Sequence, residues 1–337
     1  MISAIVPARN EEANISRVVD SLDGQAEVRE IIVVNDQSSD RTAQILAELG
    51  ARVVKLRVIE ISELPAGWVG KNFAAAAGAR VATGDWLLFV DADTQLLPGA
   101  ARRALADAEE HAASLVSYSP EQVMETLAEE ILIPFVYARL AERFSFERVN
   151  DPALPDAAAN GQFLMIGREA YAAIGGHEAV RARVLEDVAL ARLVKASGRN
   201  IFFGPGQGIA RTRMYRTLGA LWQGWTKNMY ELMGGTAVSF AREILETFPW
   251  LEIGLLVCGL CVAGRSRWIL FAAAAIVLAG SHLRYARALR RNRYPLSIIQ
   301  YYMPASLLYA CVLAASAWKY GRGAVSWKGR RYPAGTR

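Results

Sequence analysis

The 337-residue chain has only 3 cysteines, 3 histidines and, beyond residue 240, 3 acidic residues. Cys258, Cys261 and Cys311 all lie in apolar runs, which excludes a disulfide framework. Cys258-x-x-Cys261 has the spacing of a zinc or redox pair. No second pair and no histidine cluster accompanies it, so the two read as small packed or lipid-facing residues. His111, His177 and His282 are too dispersed for a metal triad. The 12 prolines and 27 glycines follow no period, which excludes collagen-like and low-complexity chains. No secretory leader precedes the first apolar strand, so the N-terminal part is expected in the cytoplasm.

What is present is apolar and unevenly charged. Apolar residues make up 53% of the chain and charged residues 21%, with a mean hydropathy of +0.16. A disordered chain is excluded, and the value is high for a wholly soluble one. Residues 1–240 carry 24 Lys and Arg against 30 Asp and Glu, a net of −6; residues 241–337 carry 14 against 3, a net of +11. The basic residues of the tail flank apolar runs, which points to a membrane and not to nucleic acid.

In the first part, apolar β-branched runs alternate with helical periodicity. Strands are expected at Ser3–Pro7, Glu30–Asn35, Val53–Leu56, Trp86–Val90, Ser114–Ser119, Gly161–Ile166 and Ile201–Gly204. Helices are expected after Asn14, which should cap the first of them, and at Arg41–Leu49 (capped by Ser39 or Asp40), Asn72–Ala82, Leu97–His111, Arg168–Ile174 and Glu186–Ala196. The alternation predicts an α/β, Rossmann-like, doubly wound sheet with its ligand site at the carboxyl ends of the strands. Three apolar segments follow, Phe248–Gly264, Trp268–His282 and Leu296–Trp318. A spanning helix needs about 20 residues, so the third is the best candidate. The first two are expected to pair as a hairpin through an Arg265–Arg267 turn. The arginines at 284–293 favour the cytoplasm, whereas the basic tail conflicts with an external terminus, so one segment, the third with its Pro304, is expected to be re-entrant. Ile131–Leu140 is too short to span. The expected domains are therefore 1–240, a membrane region 241–318 and a basic tail 319–337.

Several polar clusters end the expected strands. Asp91-Ala92-Asp93 follows a buried strand. Two carboxylates one residue apart can hold Mg²⁺ or Mn²⁺, which bridge carboxylates to substrate phosphates; a solvated turn is the bland alternative. Asp36 ends an earlier strand on the same rim. Arg9, Asn10 and Glu11 follow the first strand, where polar groups can read a base and ribose or merely open a helix. Glu186-Asp187 begins a helix, a place the macrodipole favours for acids whether or not they are catalytic.

Taken in order, Val6–Glu11, Val34–Asp40, Gly70-Lys71-Asn72, Ala82–Asp85, Val90–Asp93, Gly175-Gly176-His177 and Leu185–Leu190 resemble the family 2 nucleotide-sugar glycosyltransferases of the GT-A fold over roughly residues 1–235. Leu64–Lys71 and Trp327–Arg330 are similar to membrane-bound bacterial members that act on isoprenoid or other lipids, including carotenoid- and hopanoid-associated enzymes. The resemblance implies that Pro7, Arg9 and Glu11 border the base and that Asp36 contacts uracil or ribose. Lys71 would face the diphosphate or neighbouring carboxylates, Asp91 the ribose side, and Asp93 (with Asp91) the divalent metal. Asp187 would be the general base, with Glu186 raising its pKa by like-charge repulsion. The reaction implied is inverting transfer from a UDP-sugar, or a GDP-sugar, to a lipid acceptor at the cytoplasmic face of the inner membrane.

His177 is expected beneath the acceptor loop, and Trp222 and Trp225 at an acceptor wall or in packing. Arg211, Arg213 and Arg216 are candidates for clamping phosphate, for contacting anionic lipid or for a solvated face. Leu221–Trp225 keeps only the tryptophan of the Gln/Arg-x-x-Arg-Trp pattern of processive and ceramide-type relatives, which argues against polymer synthesis. A polyprenyl-phosphate acceptor is an alternative. A nucleotidyltransferase would show a Gly-rich basic loop where Ala8–Glu12 stands, and a non-catalytic scaffold would not retain Asp93 and Asp187.

Overall fold

The computed structural model describes residues 1–322, together with the backbone of two short strands at 325–327 and 330–332. Lys328, Arg330, Arg331 and the Trp327–Arg330 motif lie outside the residues whose side chains are described. Along the chain the elements are β1 (Ile2–Ala8), α1 (Ile15–Asp23), β2 (Val28–Asp36), α2 (Thr42–Gly50), β3 (Leu56–Ile61), α3 (Gly70–Val81), β4 (Trp86–Phe89), β5 (Thr94–Leu96) and α4 (Ala100–Glu110). Then come β6 (Ala113–Gln122), α5 (Leu127–Arg143), α6 (Phe146–Asn150), β7 (Leu164–Gly167), α7 (Arg168–Ala173), α8 (Gly176–Ala179), α9 (Glu186–Ala196) and β8 (Asn200–Thr212). The last are α10 (Leu218–Leu232), α11 (Ala237–Thr247), α12 (Trp250–Cys261), α13 (Arg265–Arg291), a 3-10 turn (Leu296–Tyr301) and α14 (Tyr302–Gly321).

The chain folds as two compact units. The first, residues 1–123 and 144–214, is built on one mixed sheet of order β3-β2-β1-β4-β7-β6-β8-β5. β3, β2, β1 and β4 run parallel, and β7 is antiparallel to both β4 and β6. β1 alternates its side chains between two cores. Ala4 and Val6 pack with α1, α2 and α4, whereas Ile5 packs with α3 and α9. Helices on both faces explain the continuous apolar runs of the central strands. α3 is rich in alanine and glycine because it lies close on the sheet: a Cβ on Gly78 would meet Ile5 Cγ2 at 2.5 Å.

Three departures from the expected elements have physical reasons. The third strand is Leu56–Ile61, not Val53–Leu56. Val53 is buried in the turn that ends α2, its N–H bonded to Leu49 O (2.9 Å). The true strand is an edge strand with a half-exposed face, so its hydrophobic signal is diluted by Arg57 and Glu60. β8 does not stop at Gly204 but runs through Gly-Pro-Gly to Thr212. A Cβ on Gly206 would sit 2.5 Å from Ser119 O, so the glycine allows a close approach instead of ending the strand. Asn14 makes no cap bond; its side-chain amide donates to Glu11 Oε2 (2.9 Å).

The second unit comprises residues 124–143 and 215–327 and is built of helices over 124–143 and 215–322. The Ile131–Leu140 stretch lies within α5. Arg139 of α5 meets Glu243 and Glu246 of α11 at 2.9 and 2.7 Å, and the buried Tyr309 hydroxyl of α14 donates to Glu243 Oε1 (2.6 Å). Among the described residues, two helical stretches, Arg265–Arg291 and Leu296–Gly321, are long and apolar enough to cross a membrane. The first expected segment is shorter than predicted. Its helix α12 has 12 residues and is bent by 55° from α11 at Phe248-Pro249, so it reaches spanning length only jointly with α11. Arg265 and Arg267 belong to the first turn of α13; the connecting turn is 262–264, with Gly264 at φ +75°. The bend is thus in the first segment and not the third. Pro304 sits in the first turn of α14, where its missing N–H costs nothing. Trp250, Leu260, Trp268, Ile269 and Ile276 are exposed, as are all three cysteines, which accords with helices that face lipid.

Candidate active site

Parallel β1, β2 and β4 end on one rim of the first unit, and the polar residues that follow them are gathered there. Two of their loops are stitched together. Asn10 and Gln37, both at φ +54°, curve the chain after β1 and β2. Asn10 N donates to Ser38 Oγ (3.0 Å) and Asn10 Oδ1 accepts from Ser39 N (2.8 Å). Glu11 N donates to Thr42 Oγ1 (2.8 Å). Arg9 Nη1 donates to Asp36 O (2.7 Å), and Asp36 is buried. Arg9, Glu11 and Asp36 therefore share one loop pair.

Beside it lies a charged centre. Lys71 Nζ is 2.7 Å from Asp91 Oδ1 and 2.8 Å from Glu186 Oε1. A cation in the first turn of α3 opposes the helix dipole, and its place is explained by the acids around it. Burial would lower the Lys71 ammonium, but the charges of Asp91, Glu186 and Asp187 overcome that and hold it well above the usual lysine value. Glu186 and Asp187 open α9, where the dipole favours them. Asp187 Oδ2 accepts from Gly161 N and Oδ1 from Val188 N, both at 2.8 Å. Burial, then the charge of Glu186, raises Asp187 to about 6, against Lys71 and the two N–H donors. A carboxylate that titrates near 6 is poised to accept a proton near neutral pH. Pro7, Lys71, Asp91, His177, Glu186 and Asp187 line one cleft.

His177 is a buried neutral imidazole. Its ring lies 4.6 Å edge-on from Phe89, and burial holds it at about 4. Its backbone N–H donates to Tyr171 Oη (3.0 Å), and Tyr171 Oη lies 2.9 Å from Nδ1. The hydroxyl, already accepting one bond, is assigned as donor to Nδ1, which leaves the ring proton on Nε2. Gly176 makes room for this pair: its φ is +52°, and a Cβ there would meet the Tyr171 ring at 2.4 Å.

Two contributors were not legible in the sequence. Gly161, expected only as the start of a strand, supplies an N–H to Asp187, and a Cβ on it would lie 2.8 Å from Lys71 Nζ. Asn72 is fully buried; its side-chain amide donates to the carbonyls of Val180 (2.9 Å), Arg181 (3.2 Å) and Arg183 (2.9 Å). It thereby fixes the loop that delivers Glu186 and Asp187. The Lys-Asn dipeptide of the motif was the only signal for it.

Asp93 lies two residues beyond Asp91 in the same turn, half-buried. Asp91 and Asp93 offer hard carboxylate oxygens on a single turn, the donor chemistry that suits Mg²⁺ or Mn²⁺. A second acidic group, Asp107, Glu110 and His111, brings potential ligand atoms within 4.8 Å of one another at the end of α4. It precedes β6, on the opposite edge of the sheet. Asp107 there already accepts from the Tyr118 hydroxyl and pairs with Arg103 (2.7 Å), so this group belongs to the fold's packing. The Ala82–Asp85 motif also lies on that edge, where Thr83 N and Oγ1 both donate to Glu30 Oε1 (2.6 Å).

Trp222 and Trp225 lie on α10 in the second unit. Trp225 is buried, with the Tyr137 and Tyr215 rings 6.1 Å away; Trp222 is half-buried. Gly224 leaves space that Tyr215 fills, since a Cβ there would meet that ring at 2.2 Å. Arg211 Nε donates to Gln95 Oε1 (3.1 Å) on the exposed edge.

Residues 3–175 match the family model described as glycosyl transferase family 2. A 4,4'-diaponeurosporenoate glycosyltransferase of Staphylococcus haemolyticus is 29% identical over 231 residues, covering 68% of this chain and 60% of that protein. The enzyme of the same name from Staphylococcus aureus MRSA252 is 26% identical, with 98% of this chain and 88% of that protein covered. Among solved structures, a mannosyltransferase from Pyrobaculum calidifontis in complex with GDP-Man and Mn²⁺ superposes with a TM-score of 0.57 at 18% identity, over 94% of this chain and 86% of that one. The likeness to the mannosyltransferase shows a shared fold. The match of the family model over half of the sequence settles the family: the chain is a family 2 glycosyltransferase with a GT-A-type α/β domain followed by apolar C-terminal helices.

Proposed function

We propose that the chain transfers a sugar from a nucleotide-sugar, a UDP-sugar in the first instance, to a lipid or isoprenoid acceptor at a membrane, with inversion and with a divalent metal. The observation that carries this reading is the convergence of Lys71, Asp91, Glu186 and Asp187 on one cleft at the carboxyl ends of the strands. Arg9, Glu11 and Asp36 hold the base and ribose, and Pro7 borders them. Asp93, with Asp91, holds Mg²⁺ or Mn²⁺, which when bound offsets the charge that develops on the departing diphosphate. Lys71 offsets part of the negative charge of Asp91 and Glu186 and stands ready for the phosphates. Asp187 takes the proton of an acceptor hydroxyl as it attacks the anomeric carbon opposite the leaving group, so no covalent intermediate is needed. His177 lines the floor beneath the acceptor.

The lipid acceptor is supported by the two apolar helices of spanning length and by the relatives, whose name denotes an isoprenoid acid. Trp222 is assigned to contact with the acceptor chain on the resemblance alone, and the basic C-terminal region holds the enzyme on the cytoplasmic leaflet of the inner membrane. A polyprenyl phosphate is the alternative acceptor.

The test is donor hydrolysis by purified full-length protein in detergent or lipid with Mn²⁺ or Mg²⁺. UDP-glucose, UDP-galactose, UDP-N-acetylglucosamine and GDP-mannose are screened for release of nucleoside diphosphate. Metal-dependent release from one donor, lost in Asp93→Asn, is the expected result. No release from any donor, together with no donor binding by calorimetry, overturns the reading.

A further inference from the structure

Asp93 is surrounded by hydroxyl groups that the catalytic reading does not use. β5 and β8 pair antiparallel with Thr94 directly opposite Thr212. Thr94 is fully buried and Thr212 is 2% exposed. Thr94 Oγ1 donates to Asp93 Oδ1 (3.3 Å). Thr212 Oγ1 lies 3.1 Å from Asp93 O and 3.3 Å from Asp93 Oδ1, so its one hydrogen serves both oxygens. The backbone of Thr212 is held as well, its carbonyl accepting from Val123 N (2.8 Å). The Gln162 side-chain amide approaches Thr212 Oγ1 from behind at 3.5 Å, and Gln162 adjoins the Gly161 whose N–H holds Asp187.

A buried threonine costs stability unless its hydroxyl is bonded, and valine would fill the same β-strand volume without that cost. What the two hydroxyls reach in common is one oxygen of Asp93. A carboxylate on a short turn rotates freely about its χ angles; two donors from a cross-strand pair stop that rotation.

We propose that Thr94 and Thr212 are positioning residues that fix the orientation of the Asp93 carboxylate for the divalent metal. This rests on the reading of Asp93 as a metal ligand given above. Outer partners of metal ligands are commonly worth about 10- to 100-fold in metal affinity. The long strand β8 acquires a purpose in this account, because only its extension beyond Gly204 brings Thr212 beneath Asp93.

The test is titration of Mn²⁺ alone into full-length protein in detergent, with unbound Mn²⁺ read by electron paramagnetic resonance. Thr212→Val should raise the Mn²⁺ dissociation constant roughly tenfold or more, whereas Thr212→Ser, which keeps the hydroxyl and loses only the methyl group, should restore it. Thr94→Val with Thr212→Val should weaken binding further. Asp93→Asn is the reference, expected to abolish binding at the site. If Asp93→Asn abolishes binding and Thr212→Val leaves it unchanged, the inference is wrong while the metal reading stands. If Thr212→Ser binds as weakly as Thr212→Val, the methyl packing matters and not the hydroxyl, which also overturns it. If Asp93→Asn binds Mn²⁺ like the unaltered chain, the metal reading of Asp93 falls and takes the inference with it.

Discussion

Replacing Asp187 with asparagine separates chemistry from structure. In the folded chain both carboxylate oxygens accept backbone N–H groups, from Gly161 and Val188 at 2.8 Å. Asparagine keeps one acceptor and turns the other position into a donor. One N–H then loses its partner, at a cost of about 1–3 kcal/mol. Against this, the buried carboxylate is itself unfavourable. Its rise from 3.8 to about 6 corresponds to about 3 kcal/mol at neutral pH, where it is ionised in both folded and unfolded chains. The sign follows: this group's contribution to stability improves as pH falls from 6 towards 4, and asparagine removes the penalty. The two effects offset each other, so the melting temperature at pH 7 should change little. Transfer should not survive. Loss of a general base costs about 10²- to 10⁴-fold in kcat, with the donor KM nearly unchanged because the base-reading wall is untouched. In the unaltered enzyme kcat should fall tenfold per pH unit below about 6, as Asp187 is protonated, and the residual activity of Asp187→Asn should lack that limb. The assay is single-turnover transfer to a hydroxyl acceptor between pH 5 and 8, with calorimetric melting in parallel. Normal turnover by a stably folded Asp187→Asn protein, with the acid limb intact, would refute the assignment.

Other perturbations follow from the same geometry. Lys71→Met leaves Asp91, Glu186 and Asp187 without their cation; Asp187 then titrates higher, and the acid limb of kcat should move upward from about 6, with most activity lost at pH 7. Unchanged limb position would argue that Lys71 does not act on Asp187. Gly161→Ala puts a methyl 2.8 Å from Lys71 Nζ, which must swing away from Asp91 and Glu186; it should leave stability and circular dichroism native yet lower kcat roughly tenfold through the misplaced cation, and wild-type kcat would contradict a role for the Lys71 position. Gly176→Ala forces a side chain into φ +52° against the Tyr171 ring and should destabilise the domain by about 1–3 kcal/mol, read as a lowered denaturant midpoint.

The amino-acid sequence by itself determined the class of the fold. Alternating apolar runs and helical periods are local properties, and a strand buried on both faces must be apolar throughout. It also pointed to one rim of the sheet, because residues that close parallel strands fall there whatever the details of packing, and the resemblance to family motifs added the candidates that open helices. Pro7, Lys71, Asp91, His177, Glu186 and Asp187 were all named from local motifs, and all line the same cleft. Tertiary structure decided what depends on contacts between distant segments. Gly161 serves Asp187 across 26 residues, and Thr212 reaches Asp93 across 119. Neither has a local signature, since a glycine at a strand start and a threonine in a strand are ordinary. Two strands were misread for a related reason. β3 is half exposed and β8 passes through Gly-Pro-Gly, so local composition understates both, and pairing with β2 and β6 makes them strands. The apolar segments were legible as apolar, but where a helix bends depends on backbone hydrogen bonding around Phe248-Pro249 and Gly264, which hydropathy does not report.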